Sequence, residues 1–409
     1  MKWNVMVFCL LLFVSSVLLS SCWSKKELID LAIVAAIGID KGENKEFKGT
    51  FQIFNPVNTA GGLQGGNAGE GTSVQVYTTE GDSLVDVSRR ISNKLSRSVY
   101  YSHASLVVIG SELAEEEGIL RIMDALDRDV EFRDTSKIVL AHEGSAEDLL
   151  KVLTPIDKIP AEKIVKTMEA SEERWGEQME VNLQEAISTL INPGKELMLP
   201  VFKIDGSAQE GKESGNIQSS IPKTIIVANG LAIFKEGKMI SWLQGDKAKG
   251  ALWVLDKINA TNIEIDWEEE NSVISFQVDK SQSKIKLEMV NGQPQFIIKV
   301  NFRGSIGEVE IPLDITEQEV VNKIEKKVEN KVEQIINNVI EDAQEKKTDI
   351  FGLGSELHYS HPEEWKKVKK NWNNDYFPEL DIKVVVNADV VRTGLRGNPF
   401  WLQLQENNK

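Results

Sequence analysis

The sequence of 409 residues predicts an α+β protein. Mixed sheets with packed helices are expected in an N-terminal domain, because short apolar runs alternate there with helical stripes. An antiparallel meander plus a long helix is expected in the C-terminal part, where three runs of period two precede a stripe with steps of three and four. The predicted divisions are a lipoprotein signal peptide (1–21), an N-terminal α/β-type domain (22–204), a linker (205–221), a C-terminal α+β region (222–395) with a further division near 260–272, and a polar tail (396–409).

An apolar leader precedes the globular sequence. Lys2 is followed by the uncharged run 5–19, whose 15 residues are fewer than the roughly 20 that a membrane-spanning helix needs. Cys22 comes directly after two small serines, which is the arrangement that a lipoprotein signal peptidase cleaves before a diacylglycerol is joined to the thiol. We therefore expect cleavage before Cys22 and lipidation of Cys22; the alternative is an uncleaved membrane helix with Cys22 as a bystander.

Charge and cysteine content exclude several classes of protein. The formal net charge is −16, and loss of the leader removes only the positive charge of Lys2. Nucleic acid is therefore not an expected partner. Anionic headgroups would also repel the chain, so membrane attachment is assigned to the lipid anchor. Cys9 lies in the leader and Cys22 at its end, so the mature chain has no other thiol for disulfides, catalysis or metal binding.

The N-terminal domain is predicted from alternating strand and helix patterns. A nearly unbroken apolar run at 31–39 indicates a buried strand. The glycine-rich segment 58–72 lacks the Lys-Ser/Thr pair of a phosphate-binding loop and is predicted to be a mobile surface loop. The other expected strands lie around Phe51, around Val74 and at 105–109, 136–141 and 198–204; the expected helices begin at Asp82 or Ser83 and cover 113–126, 159–173 and 181–191, with another starting at Ser145.

The C-terminal region begins after a segment, 205–221, that is poor in apolar residues and is therefore assigned as a linker or long exposed loop. A hairpin is expected around 235–238, followed by a helix at 248–258. The three runs of the meander are 274–278, 285–289 and 296–302, and the last two are joined across Asn291-Gly292, a pair that tolerates the positive φ angles of a tight turn.

The long helix is predicted to follow Pro312. Thr316 and Glu319 have the spacing of a capping box, and apolar residues continue from Val320 to Ala343. This helix either packs its stripe on the meander or projects in part toward a partner. Two charged rows, one with Lys323 and Lys327 and one with Glu325 and Glu329, fit either a partner helix or a solvated surface. A short helix at 362–372 and a strand at 380–390 complete the pattern.

No catalytic or metal-binding motif is found. His358 and His361 form His-x-x-His, but Pro362 interrupts a continuous helix, so we expect a surface loop and no metal site. The sequence has no Gly-x-Ser-x-Gly elbow, no His-Glu-x-x-His motif and no Rossmann or Walker glycines. We therefore expect a protein that is not an enzyme and has no cofactor.

Several stretches carry a family likeness. The sequence CWSKKELIDLAIV, which starts at Cys22, and the following Gly38-Ile39-Asp40 resemble the start of mature Ger(x)C lipoproteins, the C subunits of spore germinant receptors. Ser24 departs from the acidic residue expected there. The segments 103–114, 242–253 and 349–354, the last preceding Trp365, are also similar, and the likeness extends to about Gly394.

The resemblance implies a non-enzymatic, lipid-anchored subunit on the outer face of the inner spore membrane. It further implies two multi-pass membrane subunits as partners, in a receptor whose response to small nutrients such as amino acids or sugars triggers germination. The only functional residue carried over is the lipidated Cys22. Two other hypotheses remain open, a lipid-anchored solute-binding protein that captures the nutrient directly and an envelope hydrolase.

Overall fold

Two β-sheets organise the part of the chain that the computed structural model describes, residues 3–6, 8, 28–55, 72–268 and 273–392. The first sheet has the order β3-β2-β1-β5-β6-β7-β8-β9, with β4 beside β1, and the second has the order β10-β11-β12-β13. The strands are β1 (Leu31–Lys41), β2 (Phe47–Phe54), β3 (Val74–Gly81), β4 (Ser98–Tyr100), β5 (Leu106–Gly110), β6 (Lys137–His142), β7 (Met198–Asp205), β8 (Ile225–Lys235), β9 (Lys238–Leu243), β10 (Thr261–Asp266), β11 (Val273–Val290), β12 (Gln293–Val309) and β13 (Ile382–Arg392).

Helices cover the sheets and connect their strands. In the described ranges from Leu28 onward the α-helices are α1 (Leu84–Arg90), α2 (Ser111–Glu116), α3 (Leu120–Asp127), α4 (Ala146–Lys151), α5 (Pro160–Arg174), α6 (Leu183–Ile191), α7 (Ala208–Gly211), α8 (Gly215–Gln218), α9 (Asp246–Val254), α10 (Gln318–Glu345), α11 (Leu353–Ser360) and α12 (Pro362–Val368). Short 3-10 segments occur at Leu28–Asp30, Ile91–Asn93, Lys369–Asn371 and Phe377–Glu379, and a π-helical turn at Trp372–Tyr376.

The first sheet is mixed, as the sequence predicts. The strands β1, β5, β6 and β7 run parallel, and antiparallel strands extend the sheet on both sides. β5 is buried on both faces, because Val107 and Ile109 enter one apolar cluster and Leu106 and Val108 enter another. This two-sided burial explains why the central strands appear in the sequence as unbroken apolar runs. The predicted α+β class is confirmed.

The segment 205–221, predicted to be a linker, is a connection within this sheet. It contains the two short helices α7 and α8, and the strands on either side of it, β7 and β8, pair with each other from Asp205–Ile225 onward. β8 and β9 then complete the first sheet, so the change in composition at 205–221 does not separate the two sheets. The polar composition of 205–221 therefore indicates an exposed connection between two strands of one sheet.

Two helices of the N-terminal part differ from expectation. The predicted helix 113–126 is divided into α2 and α3, because Gly118 has a φ of +78° and the N–H of Ile119 donates to the carbonyl of Gly237 at 2.9 Å. This left-handed glycine ends α2 in the usual manner of a helix C-terminus. The helix capped by Ser83 ends at Arg90 and continues only as a 3-10 turn to Asn93.

The second sheet has a different strand assignment from the predicted meander. The runs 274–278 and 285–289 belong to one strand, β11, of 18 residues. The polar residues between them, 279–284, contain no glycine, proline or asparagine to form a turn, and the strand bends there through a bulge between Val278 and Lys280. The antiparallel strands are β10, β11 and β12, while β13 pairs with β12 in parallel. The hairpin at Asn291-Gly292 is confirmed by φ values of +53° and +82°.

The long helix α10 packs on this sheet along its predicted stripe. Ile324, Val328 and Ala343 are all buried on that stripe. A glycine permits close packing with α9, since a Cβ on Gly250 would lie 2.8 Å from the carbonyl oxygen of Ile335. The chain therefore uses the helix to cover the apolar face of the sheet.

The two charged rows of α10 contact opposite edges of the second sheet. Lys327 donates to the carbonyl of Asp266 at 2.9 Å, at the end of the edge strand β10. On the other side, Glu325 accepts the N–H of Val390 at 2.8 Å and Glu329 accepts the N–H of Ala388 at 3.2 Å. These carboxylates satisfy N–H groups that β13 would otherwise leave open at the edge of the sheet.

The predicted capping box at the start of α10 does not form. Asp314 accepts hydrogen bonds from both the N–H and the hydroxyl of Thr316, at 2.9 and 2.5 Å. Glu317 is the N-cap residue and makes no side-chain capping bond. A local hydrogen bond two residues back therefore takes the place of the expected cap.

The buried carboxylate of Asp349 organises the junction between the second half and the N-terminal part. The backbone of Asp349 joins the two, because its carbonyl accepts the N–H of Glu196 at 2.8 Å. Burial raises the pKa of Asp349, although the N–H donors around it act in the opposite direction. One carboxylate oxygen accepts hydrogen bonds from the backbone N–H groups of Phe351 (3.1 Å), Gly352 (2.8 Å) and Leu353 (3.2 Å). The other accepts hydrogen bonds from the backbone N–H of Gly354 (2.8 Å) and the indole N–H of Trp372 (2.9 Å).

Two glycines allow the backbones to meet at this junction. A Cβ on Gly354 would lie 2.6 Å from Nε1 of Trp372 and 2.7 Å from the Cα of Gly194. Gly194 has a φ of +77°, and its carbonyl accepts the N–H of Ser355 at 3.1 Å. The turn before β7 and the first turn of α11 are thus in direct backbone contact.

We predict that Asp349→Asn lowers the free energy of unfolding by about 2–4 kcal/mol, because an amide nitrogen in place of one carboxylate oxygen faces N–H donors in a buried site. Equilibrium urea unfolding of the purified chain, followed by circular dichroism, measures the change. Asp279→Asn, at an exposed position of β11, is the matched control. Equal stability of the two variants would contradict the role given to Asp349.

Candidate functional site

The predicted lipidation site, Cys22, lies outside the described residues, as do residues 58–71 of the predicted glycine-rich loop and the tail 396–409. The described chain resumes at Leu28, and β1 begins at Leu31. β1 is an interior strand of the first sheet, with β2, β4 and β5 as its partners. The eight residues 23–30 reach at most about 30 Å when fully extended, so lipid on Cys22 would keep this sheet near the membrane.

The Gly38-Ile39-Asp40 motif is structural. Asp40 is buried at the end of β1, and its two carboxylate oxygens accept the N–H groups of Ala146 at 2.7 Å and Glu147 at 2.9 Å. Burial raises the pKa of Asp40, against the effect of these bonds. Gly38 leaves room for α4, since a Cβ there would lie 3.1 Å from the Cβ of Ala146. The motif therefore seats the N-terminus of α4 on the sheet.

The segment 242–253 is also used for packing. Trp253 is buried against Phe302, with ring centroids 5.0 Å apart. Lys249 is only 8% exposed, and its Nζ lies 4.0 Å from the centroid of the Trp175 ring. Burial lowers the pKa of Lys249. The lysine contacts an aromatic face from the N-terminal part, a favourable cation–π arrangement.

The His-x-x-His pair does not form a metal site in the described chain. His358 lies in the last turn of α11, and His361 lies between α11 and α12 with a φ of −138°. The prediction of a surface loop is therefore wrong for His358, because the helix extends to Ser360 before Pro362 starts the next one. Across the described residues, no three His, Cys, Asp or Glu side chains converge as metal ligands.

Exposed isoleucines lie on the connection between β7 and β8 and beside it. We name the isoleucine surface for its four members, Ile156, Ile217, Ile221 and Ile225. Ile156 is 90% exposed and Ile221 is 79% exposed, while the other two are exposed to a smaller extent. Ile156 and Ile225 border a cleft of about 340 Å³ that Pro155 and Pro222 also line.

Buried polar contacts hold the isoleucine surface in place. Asn216 donates to the carbonyls of Leu153 and Thr224, both at 2.9 Å, and accepts the N–H of Thr224 at 3.0 Å. The N–H of Leu153 also donates to the carbonyl of Gly211 at 2.8 Å. The segment that composition marked as a linker is therefore a fixed platform for exposed isoleucines.

Sequence reasoning did not identify this surface. Ile217 and Ile221 stand in a stretch that is otherwise rich in Gly, Ser, Glu, Gln and Lys, and Ile156 is 61 positions away in the chain. The only indication of this surface in the sequence was the presence of two isoleucines in a polar segment. That Ile156 and Ile225 border one cleft depends on the pairing of β7 with β8 and on the contacts of Asn216, which periodicity does not reveal.

Described residues contain no helix that is both long and apolar enough to cross a bilayer.

Two family models match successive parts of the chain. The model described as "Spore germination protein N-terminal domain" matches residues 24–204. The model described as "Spore germination B3/ GerAC like, C-terminal" matches residues 229–394. The stretch between the two matches, residues 205–228, contains α7, α8 and three of the four isoleucines, Ile217, Ile221 and Ile225.

Curated relatives and a crystal structure agree with these models. "Spore germination protein KC" of Bacillus subtilis (strain 168) is 39% identical over 397 residues, covering 97% of this chain and 98% of the relative. "Spore germination protein A3" of the same organism is 27% identical, covering 95% and 98%. The crystal structure of the GerBC protein matches with a TM-score of 0.54 and 20% identity, covering 87% of this chain and 97% of that one.

The matches cover both halves, and the segments that suggested a likeness, including Gly38-Ile39-Asp40 and 349–354, have defined structural roles. The expected family is therefore confirmed. The chain belongs to the Ger(x)C family of spore germination proteins, the C subunits of germinant receptors.

Proposed function

We propose that this chain is a non-enzymatic, lipid-anchored subunit of a nutrient germinant receptor. It lies on the outer face of the inner spore membrane, attached through Cys22, and supports the assembly and signalling that trigger germination. Its partners are two multi-pass membrane subunits. Family membership supports the receptor role, and the isoleucine surface is the observation that carries the assembly role.

A scaffolding role suits the chemistry of the buried charges. Asp40 and Asp349 have both carboxylate oxygens occupied by N–H donors, and Lys249 lies against an aromatic ring. Each of these groups has a shifted pKa, which in an enzyme would suggest catalysis. Here each holds one part of the fold against another, which favours a structural role for these groups.

The isoleucine surface is suited to an apolar partner surface. Exposed aliphatic side chains on an ordered backbone lose contact with water when a partner covers them, at little cost in backbone ordering. We assign this surface to contact with the extramembrane part of a membrane subunit. The hydrogen bonds of Asn216 fix the backbone near these isoleucines, which reduces the ordering that a partner would have to impose.

A second candidate function, direct capture of the nutrient, is supported by one observation. A separate apolar cavity of about 300 Å³ lies between the first sheet and α1. Calorimetry of the full chain against nutrients tests this candidate, since saturable micromolar binding of a nutrient would support capture. Nothing in the isoleucine surface requires a small ligand.

We predict that Cys22→Ala abolishes incorporation of labelled fatty acid, because the thiol that forms the thioether is absent. The control is Cys9→Ala, which removes the other cysteine, in the leader. Metabolic labelling followed by purification measures both variants. Normal labelling of the Cys22 variant would refute the lipidation site. Function need not be lost with the lipid, since contacts with the membrane subunits provide a linked attachment.

We also predict that the double variant Ile156→Glu/Ile221→Glu reduces the amount of membrane subunits that co-purify with the chain by about tenfold or more. Carboxylates in an apolar interface carry a desolvation cost, whereas on a free surface they change stability by about 0.5 kcal/mol or less. The control is Ile191→Glu, at a residue that is 78% exposed but lies at the end of α6.

Co-purification from spore membranes, together with thermal melting of each variant, tests this assignment. The expected result is loss of the partners at an unchanged melting temperature in the double variant and full retention in the control. Full retention in the double variant, or equal loss in both, would show that the isoleucine surface is not the interface.

A further inference from the structure

A cavity in the N-terminal part has the chemistry of a small-molecule site. Its volume is about 300 Å³, near the lower end of the roughly 300–1,000 Å³ typical of ligand pockets. It lies between β1 and β2 on one side and α1, α3 and the residues after α3 on the other. Its floor is apolar and includes Ile37, Ile39, Phe51, Val87, Leu126 and Phe132.

One pair of hydroxyls interrupts the apolar lining. The hydroxyls of Tyr101 and Ser88 are 2.8 Å apart and hydrogen-bonded to each other. Burial raises the pKa of Tyr101, so its hydroxyl stays protonated at neutral pH and can donate to an acceptor. A mostly apolar pocket with a few polar groups is the usual composition of a site that orients a small ligand.

The arginines near the cavity differ in their partners. Arg128 makes two hydrogen bonds to Asp124, at 2.8 and 2.9 Å, and Arg90 makes one to Asp86 at 2.7 Å. Arg89 lines the same cavity, and its guanidinium makes no hydrogen bond or ion pair among the residues that the structure describes. Its positive charge lowers the pKa of Tyr101, whereas burial raises it.

Arg89 gives the lining a cationic side chain that can pair with an anionic group. Asp129 also lines the cavity, and its carboxylate accepts the N–H of Glu131 at 2.9 Å and so holds the turn after α3. Arg89 remains the cation available to a ligand, and a guanidinium matches the planar, two-oxygen geometry of a carboxylate. Val85 and Val130, the latter 98% exposed, stand at the rim.

We propose that this cavity binds a small carboxylate with an apolar body. The body occupies the space over Ile37, Phe51 and Val87, and the carboxylate pairs with Arg89 at the mouth. Binding covers apolar surface at the rim that is otherwise exposed to water, which contributes to affinity. The site involves neither Cys22 nor the isoleucine surface, so it is independent of anchoring and of the membrane subunits.

The test uses the full chain in phosphatidylcholine nanodiscs and 3-phenylpropionate as the probe. Isothermal titration calorimetry should show saturable binding with one site and a Kd on the order of 10–1,000 μM. The neutral analogue 3-phenylpropionamide should bind at least about tenfold more weakly, because it lacks the charge that pairs with Arg89. Absence of saturable binding by the unmodified chain would overturn the proposal.

Paired variants locate the site. Arg89→Gln should weaken binding of 3-phenylpropionate by about tenfold or more, whereas Arg90→Gln, one position away on the same helix, should change it by less than about twofold. Ala125→Phe should abolish binding by filling the cavity that Ala125 lines. Thermal melting checks that each variant is folded. Equal effects of the two arginine variants, or unchanged binding by a folded Ala125→Phe variant, would contradict the assignment.

Discussion

The buried carboxylate of Asp349 needs hydrogen-bond donors from the protein itself, and the local structure around it follows from that requirement. Its five N–H donors come from the turn into α11 and from the indole of Trp372. Gly352, with a φ of +82°, lets the chain bend back over the carboxylate. Gly354 and Gly194 then bring the two backbones together, since neither position has room for a side chain. A single buried charge thus fixes how the second half of the chain meets the first.

The same reasoning explains why the motifs of this family are recognisable although they contain no catalytic site. Asp40 at the end of β1 holds the N-terminus of α4, as Asp349 holds that of α11. Gly250 permits the close approach of α9 and α10. Each of these positions needs either a buried acid that accepts backbone N–H groups or a glycine that lets two backbones approach closely. Few residue types meet either requirement. We propose that contacts with partners and ligands lie elsewhere, on the isoleucine surface and at the cavity beside Arg89.

Local chemistry made many elements predictable from the sequence. The apolar run that became β1, the Asn291-Gly292 turn and the stripe of α10 each depend on neighbours in the chain. The division of 113–126 into two helices depends on a hydrogen bond to the carbonyl of Gly237, 118 positions after Ile119, and has no local signal beyond one glycine. Lipidation of Cys22 stays a prediction from the leader sequence. The isoleucine surface and the cavity depend on which side chains the fold exposes or brings together, and only the folded chain defines that.

The central claim is that the two parts on either side of 205–221 are coupled through the Asp349 junction and the shared first sheet, and so unfold as one unit. Native-state hydrogen exchange over a range of denaturant concentrations tests this claim most directly. The amide hydrogens of Gly352 and Gly354 should exchange with the same opening free energy and denaturant dependence as that of Val108 in β5. Exchange of the Gly352 and Gly354 amides through a separate opening of lower free energy, while Val108 stays protected, would contradict it.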